Sequence, residues 1–121
     1  MARQTLPDSV EKRNILHGAK TAPATLVAIG ETYEQEGRLA DALEFFVKAK
    51  HDAGLDRVKA TAIEKGHSLL LLRVRRSGLR EITPEEWLRG SAAATKAGRL
   101  QDALWCAEQS GDAERLEAVR R

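Results

Sequence analysis

Apolar residues recur along this chain at helical rather than strand spacing. Between Pro23 and Asp56 they fall at Leu26, Ile29 and Tyr33, and then, beyond Gly37, at Leu39, Leu43, Phe46 and Val47. Steps of three and four residues put each set on one face of a helix. The stretch 23–56 therefore predicts a helical hairpin. Gly37 supplies the left-handed turn between its two helices, and Gly54 is expected to end the second in the same way. Small residues at Gly30, Ala42 and Ala49 let two helices approach closely.

The same reading divides the rest of the chain. A short helix is expected over 8–17, with Asp8 and Glu11 at capping-box spacing, Gly18 as its stop, and Val10, Asn14 and His17 on one face. Thr21 offers a capping hydroxyl, and Pro23 a first-turn proline, to the hairpin that follows. Asp56 is expected to cap one long helix over 57–77. Gly66 interrupts that pattern, and a tight turn there is the alternative. Leu69 to Leu72 encircle a helix, so at least two of its faces need burial. Ser77-Gly78 ends this segment. Thr83-Pro84-Glu85-Glu86 opens the next hairpin, 84–110, with strong start signals. Gly111-Asp112 then breaks and recaps a last helix over 112–120.

The two hairpins share a signature. Gly37-Arg38-Leu39-Ala40-Asp41-Ala42-Leu43 and Gly98-Arg99-Leu100-Gln101-Asp102-Ala103-Leu104 agree at six of seven positions, 61 residues apart. Counted from Pro23, the first hairpin resembles a tetratricopeptide repeat, a helical hairpin of about 34 residues. Gly30, Tyr33, Gly37, Ala42, Phe46 and Ala49 sit on that family's Gly, Tyr, Gly, Ala, Phe and Ala, and Ile29 sits on its Leu. Leu26 stands where the family has Trp and Gly54 where it has Pro. Seven of nine signature positions thus agree in type. In the second hairpin Trp87 takes the Trp position, while Gly90, Ser91, Ala94, Ala107 and Ser110 replace Leu, Gly, Tyr, Phe and Ala.

The resemblance implies an all-α fold, a short right-handed α-α superhelix of about six helices, and a non-enzymatic adaptor that binds a peptide segment or a partner protein. In that family the first helix of each hairpin lines the inner face. Carried over by position, this face comprises Ala24, Val27, Glu31, Glu34 and Gln35, then Glu85, Leu88, Ala92, Thr95 and Lys96. Members that grip chaperone C-terminal carboxylates use Lys and Asn there. Val27, Glu31 and Ala92 occupy such positions here, so a basic or apolar ligand suits the acidic first surface better. About three repeats are usually needed for independent stability. Self-association, for instance as a homodimer through the Leu69–Leu72 helix or the C-terminal hairpin, is therefore also expected.

Composition agrees with a single helical domain. The 121 residues are 42% hydrophobic but only 4% aromatic, which suits Ala/Leu-rich helix packing. The longest apolar run, 69–72, is far too short to span a membrane, and the charged N-terminus does not read as a signal peptide. One cysteine cannot form an internal disulfide, which is compatible with a reducing cytoplasm. Net charge is only +2, but it is unevenly placed. Three basic residues face seven acidic ones in 23–56, whereas 57–80 holds seven basic and one acidic.

Candidate chemistry is sparse. Cys106 lies in an inward-packing helix beside Trp105 and Ala107, without a base at hand, and is expected to be a buried small residue. His17, His51 and His67 are isolated, and no His/Cys/Asp cluster has metal-ligand spacing. No pair of carboxylates sits where two pKa values would be driven apart, and no glycine loop is built for phosphates. No enzyme activity, cofactor or metal is expected. Arg73, Arg75, Arg76 and Arg80 form the sharper feature, since four arginines at a helix end can meet an acidic protein surface or phosphates. They carry no interleaved aromatics for base stacking; the competing explanation is simple complementarity to the helix dipole. Binding of nucleic acid or an anionic surface through Arg73–Arg80 is the alternative function. Trp87, Trp105 and Phe46 read as core. Phe45 projects about 100° from Phe46 and is a candidate exposed contact.

Overall fold

The computed structural model describes residues 6–7, 9–17 and 21–120, with the side chains of Ser9, Val10, Asn14 and His17 left out. The capping pair Asp8–Glu11, the stop at Gly18 and the Val10–Asn14–His17 face therefore lie outside the described residues. What is described is all-helical: α1 (Ser9–His17), α2 (Pro23–Gln35), α3 (Leu39–Ala49), α4 (Asp52–Lys65), α5 (Ser68–Arg76), α6 (Pro84–Lys96), α7 (Leu100–Ser110) and α8 (Ala113–Arg120). The helices fall into two compact units, 1–58 and 59–121, with the division inside α4.

In the first unit α2 and α3 form the hairpin, and α1 packs on α3. Gly37 takes φ +78° with open space where a side chain would stand, so backbone conformation alone calls for glycine there. The amide of Arg38 donates to the carbonyl of Tyr33 and that of Gly37 to Glu34, at 2.9 and 3.0 Å. This paired arrangement satisfies the last carbonyls of α2. Its start differs from expectation. Ala22, not Thr21, occupies the cap, without a side-chain hydrogen bond, and Pro23 begins the helix. Leu26, Ile29, Tyr33, Leu43, Phe45 and Phe46 are buried between the helices. Phe45 is thus core, because its ring stacks on Tyr33 at 5.5 Å.

The end of α3 also departs from the expected glycine stop. Lys50, at φ +53°, takes the left-handed position, and its amide and that of His51 cap the carbonyls of Val47 and Phe46. Gly54 lies inside α4 instead. A Cβ there would stand 2.6 Å from the Phe46 ring, so this glycine serves close packing rather than termination. Asp56 likewise lies within α4, which already begins at Asp52.

In the second unit α6 and α7 form the hairpin, with α5 and α8 both packed on α7. Gly98 repeats the φ +78° of Gly37, and Arg99 and Gly98 donate to Ala94 and Thr95 as Arg38 and Gly37 do in the first. Thr83 and Glu86 form the expected capping box at the start of α6. The expected single helix over 57–77 is broken at Gly66, which adopts φ +67° and passes so close to α6 that a Cβ would lie 2.5 Å from the amide nitrogen of Ala94. Position and crowding together require glycine there, and the chain turns into α5. The leucine run is then shared out. Leu70 and Leu71 are buried, Leu72 is half-buried, and Leu69 is 73% exposed.

Candidate functional site

The heptapeptide shared by the hairpins fixes more than a turn. Its aspartate ties down the helix that precedes each hairpin. In the first unit Asp41 accepts from the Lys12 ammonium of α1 and from Arg38 Nε at 3.0 Å, and Lys12 also meets Glu44 at 2.7 Å. Burial pulls the Lys12 pKa down, but the hydrogen bonds to Asp41 and Glu44 outweigh it and leave it raised. Burial would raise Asp41, and the bond from Lys12 reverses this and holds its carboxyl below the usual range. In the second unit the equivalent Asp102 accepts from Ser68 at the start of α5.

The arginine of the heptapeptide is used locally in both. Arg38 lies over the Tyr33 ring, 4.8 Å from its centre. Arg99 lies 2.7 Å from His67 Nδ1 at the α4–α5 turn. Burial and the Arg99 charge push the His67 pKa down, favouring the neutral ring.

The expected inner face splits between open and engaged positions. On α2, Ala24, Glu31 and Gln35 are exposed and Val27 is half-buried. Glu34 is held by Arg57 of α4, with Nε–Oε2 and Nη2–Oε1 distances of 3.0 Å, and Glu31 lies 3.8 Å from the same guanidinium. The acidic surface is thus partly neutralised from within its own unit. On α6, Glu85, Ala92, Thr95 and Lys96 are exposed and Leu88 is half-buried. Thr95 Oγ1 accepts from Arg115 of α8 at 2.7 Å.

The arginine cluster does not act as one patch. Arg75 donates to Gln109 at 3.0 Å and lies over the Trp87 ring. Arg80 donates to the Leu79 carbonyl at 2.6 Å. Arg73 and Arg76 are exposed and have no partner among the described residues. The leucine run, expected to need burial on at least two faces, leaves Leu69 exposed; together with Leu72, Arg73 and Arg76 it forms a stripe at steps of three, four and seven.

Among the described residues no reactive group stands ready. Cys106 is fully buried, and desolvation pushes its thiol up to about 11, so it is not a thiolate. His51 packs beside the Phe46 ring at 5.6 Å. Glu86 would be raised by burial, but the Thr83 amide and the Lys59 ammonium, 2.9 Å away, hold it low in a structural role. Among the described residues no group of His, Cys, Asp and Glu could hold a metal ion, no buried polar side-chain atom lacks a hydrogen bond, and no helix is long and apolar enough to cross a membrane. No protein-family model matches the chain, and no curated protein or solved structure is significantly similar to it.

Proposed function

We propose that the chain is a non-enzymatic protein-binding module of tetratricopeptide type, whose hairpins stack as a short right-handed superhelix and engage a peptide segment or partner protein through the first helices, α2 and α6. The observation that carries this reading is the division of labour within each hairpin. Titratable groups that could do chemistry are tied into clamps and caps, while Ala24 and Gln35 of α2 and Glu85, Ala92 and Lys96 of α6 remain open and Glu31 is exposed beside Arg57. Exposed positions on rigid helices can present contacts to a peptide or partner. A second reading, binding of nucleic acid or an anionic surface, is favoured only by the unpartnered Arg73 and Arg76. That only two of the four arginines lack a partner among the described residues weakens it.

The test is site-specific photo-crosslinking. A crosslinking side chain at Gln35 or Lys96 is expected to give discrete protein adducts that the same group at Lys48 of α3 or Glu108 of α7 does not. Identical adduct patterns from all four positions, or none from Gln35 and Lys96, would overturn the proposal.

A further inference from the structure

We propose that the outward face of α5 is a docking surface for α8 of a second copy of this chain. Along α5 the buried Leu70, Leu71 and Val74 face inward, which leaves Leu69, Leu72, Arg73 and Arg76 on the other side. Leu69 is 73% exposed and, with the half-buried Leu72, gives this face its apolar part. Beside it stand the two arginines that have no partner among the described residues.

The complementary face lies on α8. Arg115, Leu116 and Val119 of that helix are partly covered, and Arg115 is bonded to Ser91 and Thr95. On the opposite side Glu114 and Glu117 are exposed, also without a partner among the described residues, and with Ala113 and Ala118 they line an open recess. The charges match in spacing as well as sign. Both pairs are three residues apart, about 4.5 Å along a helix axis. Two antiparallel helices therefore set Arg73 opposite Glu117 and Arg76 opposite Glu114 at once, with Leu72 over Ala118 and Leu69 just past the C-terminal end of α8. Small residues on the acidic helix let the leucines approach, and antiparallel alignment also opposes the two helix dipoles. These faces are distinct from those of α2 and α6, so this association stands or falls separately from partner binding there.

Sedimentation of the full chain over a concentration series, combined with charge reversal, tests the pairing. Wild type is expected to rise in mass above the 13.3 kDa of one chain as concentration increases. Arg73→Glu with Arg76→Glu, and separately Glu114→Arg with Glu117→Arg, are each expected to weaken association by about tenfold or more, because like charges then face each other. All four positions are exposed, and circular dichroism checks that helicity is kept. Mixing the two reversed proteins restores oppositely charged faces, and a complex is expected to reappear. A wild type that stays monomeric at all concentrations, an association indifferent to either reversal, or a mixture that fails to recover would overturn the proposal. Loss of oligonucleotide binding in the arginine variant with self-association unchanged would overturn it too, and assign the face to phosphates.

Discussion

The hairpins α2–α3 and α6–α7 share a turn and differ in almost everything packed behind it. In the first, Phe46 is a fully buried ring set between two glycines. A Cβ on Gly30 would stand 2.8 Å from it and one on Gly54 2.6 Å. In the second, the positions 61 residues later are Ala107, Ser91 and Arg115. The ring has gone, a hydroxyl replaces one glycine, and a guanidinium replaces the other. Ser91 donates to the Ala103 carbonyl at 2.8 Å and accepts from Arg115 Nε at 3.0 Å. The space one hairpin fills with an aromatic ring, the other fills with a hydrogen-bonded polar group. Arg57, three residues beyond Gly54, reaches Glu34, and Arg115 reaches Thr95, the position equivalent to Glu34. The following helix therefore clasps the same point of each hairpin, from sites one helical turn apart. The lesson is that the heptapeptide sets the turn, whereas complementary volumes set the core.

The largest break in this comparison is Phe46→Ala, which empties the first core and is expected to cost about 3–5 kcal/mol in urea unfolding. Arg115→Ala is the counterpart in the second hairpin. Its bonds are partly in reach of water, so a loss near 1 kcal/mol is expected, with Ser91 left short of a donor. Comparable in size is the exchange at the end of each second helix. Lys50 and Gly111 both occupy left-handed backbone, at φ +53° and +75°. Lys50→Gly should stabilise by about 0.5–1 kcal/mol and Gly111→Ala should destabilise by about 1–2 kcal/mol, since only glycine takes this conformation without steric cost.

The last difference is one of pH. Arg38 lies over an aromatic ring, whereas Arg99 lies against His67, whose folded-state pKa is depressed. As pH falls below about 6.5 the unfolded chain takes up that proton first, so native stability declines through the depressed value. Urea midpoints at several pH values should show this decline in wild type and a flatter dependence in His67→Gln. An unchanged slope in the variant would assign it elsewhere.

Much of this fold was legible in the chain because the signals are local. Glycine at Gly37 and Gly98, the six shared residues around the turns and the Thr83–Glu86 box each act within a few residues, and the helices formed where they point. What escaped depended on distant neighbours. Gly54 looked like a stop, yet its lack of a side chain answers the Phe46 ring. Lys50 gave no sign of a left-handed turn because its type does not favour one. Phe45 looked exposed by helical phase, but α3 is covered by α1 as well as α2, and a 100° rotation about α3 still meets protein. Gly66 was visible as an interruption; its contact with Ala94 on α6 was not. The candidate surface was less legible. Four arginines read as one patch separate into two engaged and two without a partner among the described residues, and Leu69 is exposed because Leu70, Leu71 and Val74 take the buried side of α5.

The central claim is that the hairpins are one design with exchanged core volumes. A double-mutant cycle between Gly54 and Phe46 tests it most directly. Gly54→Ala alone is expected to cost about 1–3 kcal/mol, because the methyl group meets a ring with no room to move. In a Phe46→Ala background the obstacle is gone, and the same change is expected to be neutral or to stabilise by up to about 1 kcal/mol through helix propensity. An equal cost in both backgrounds would show that the glycine is not there for the ring, and would contradict the claim.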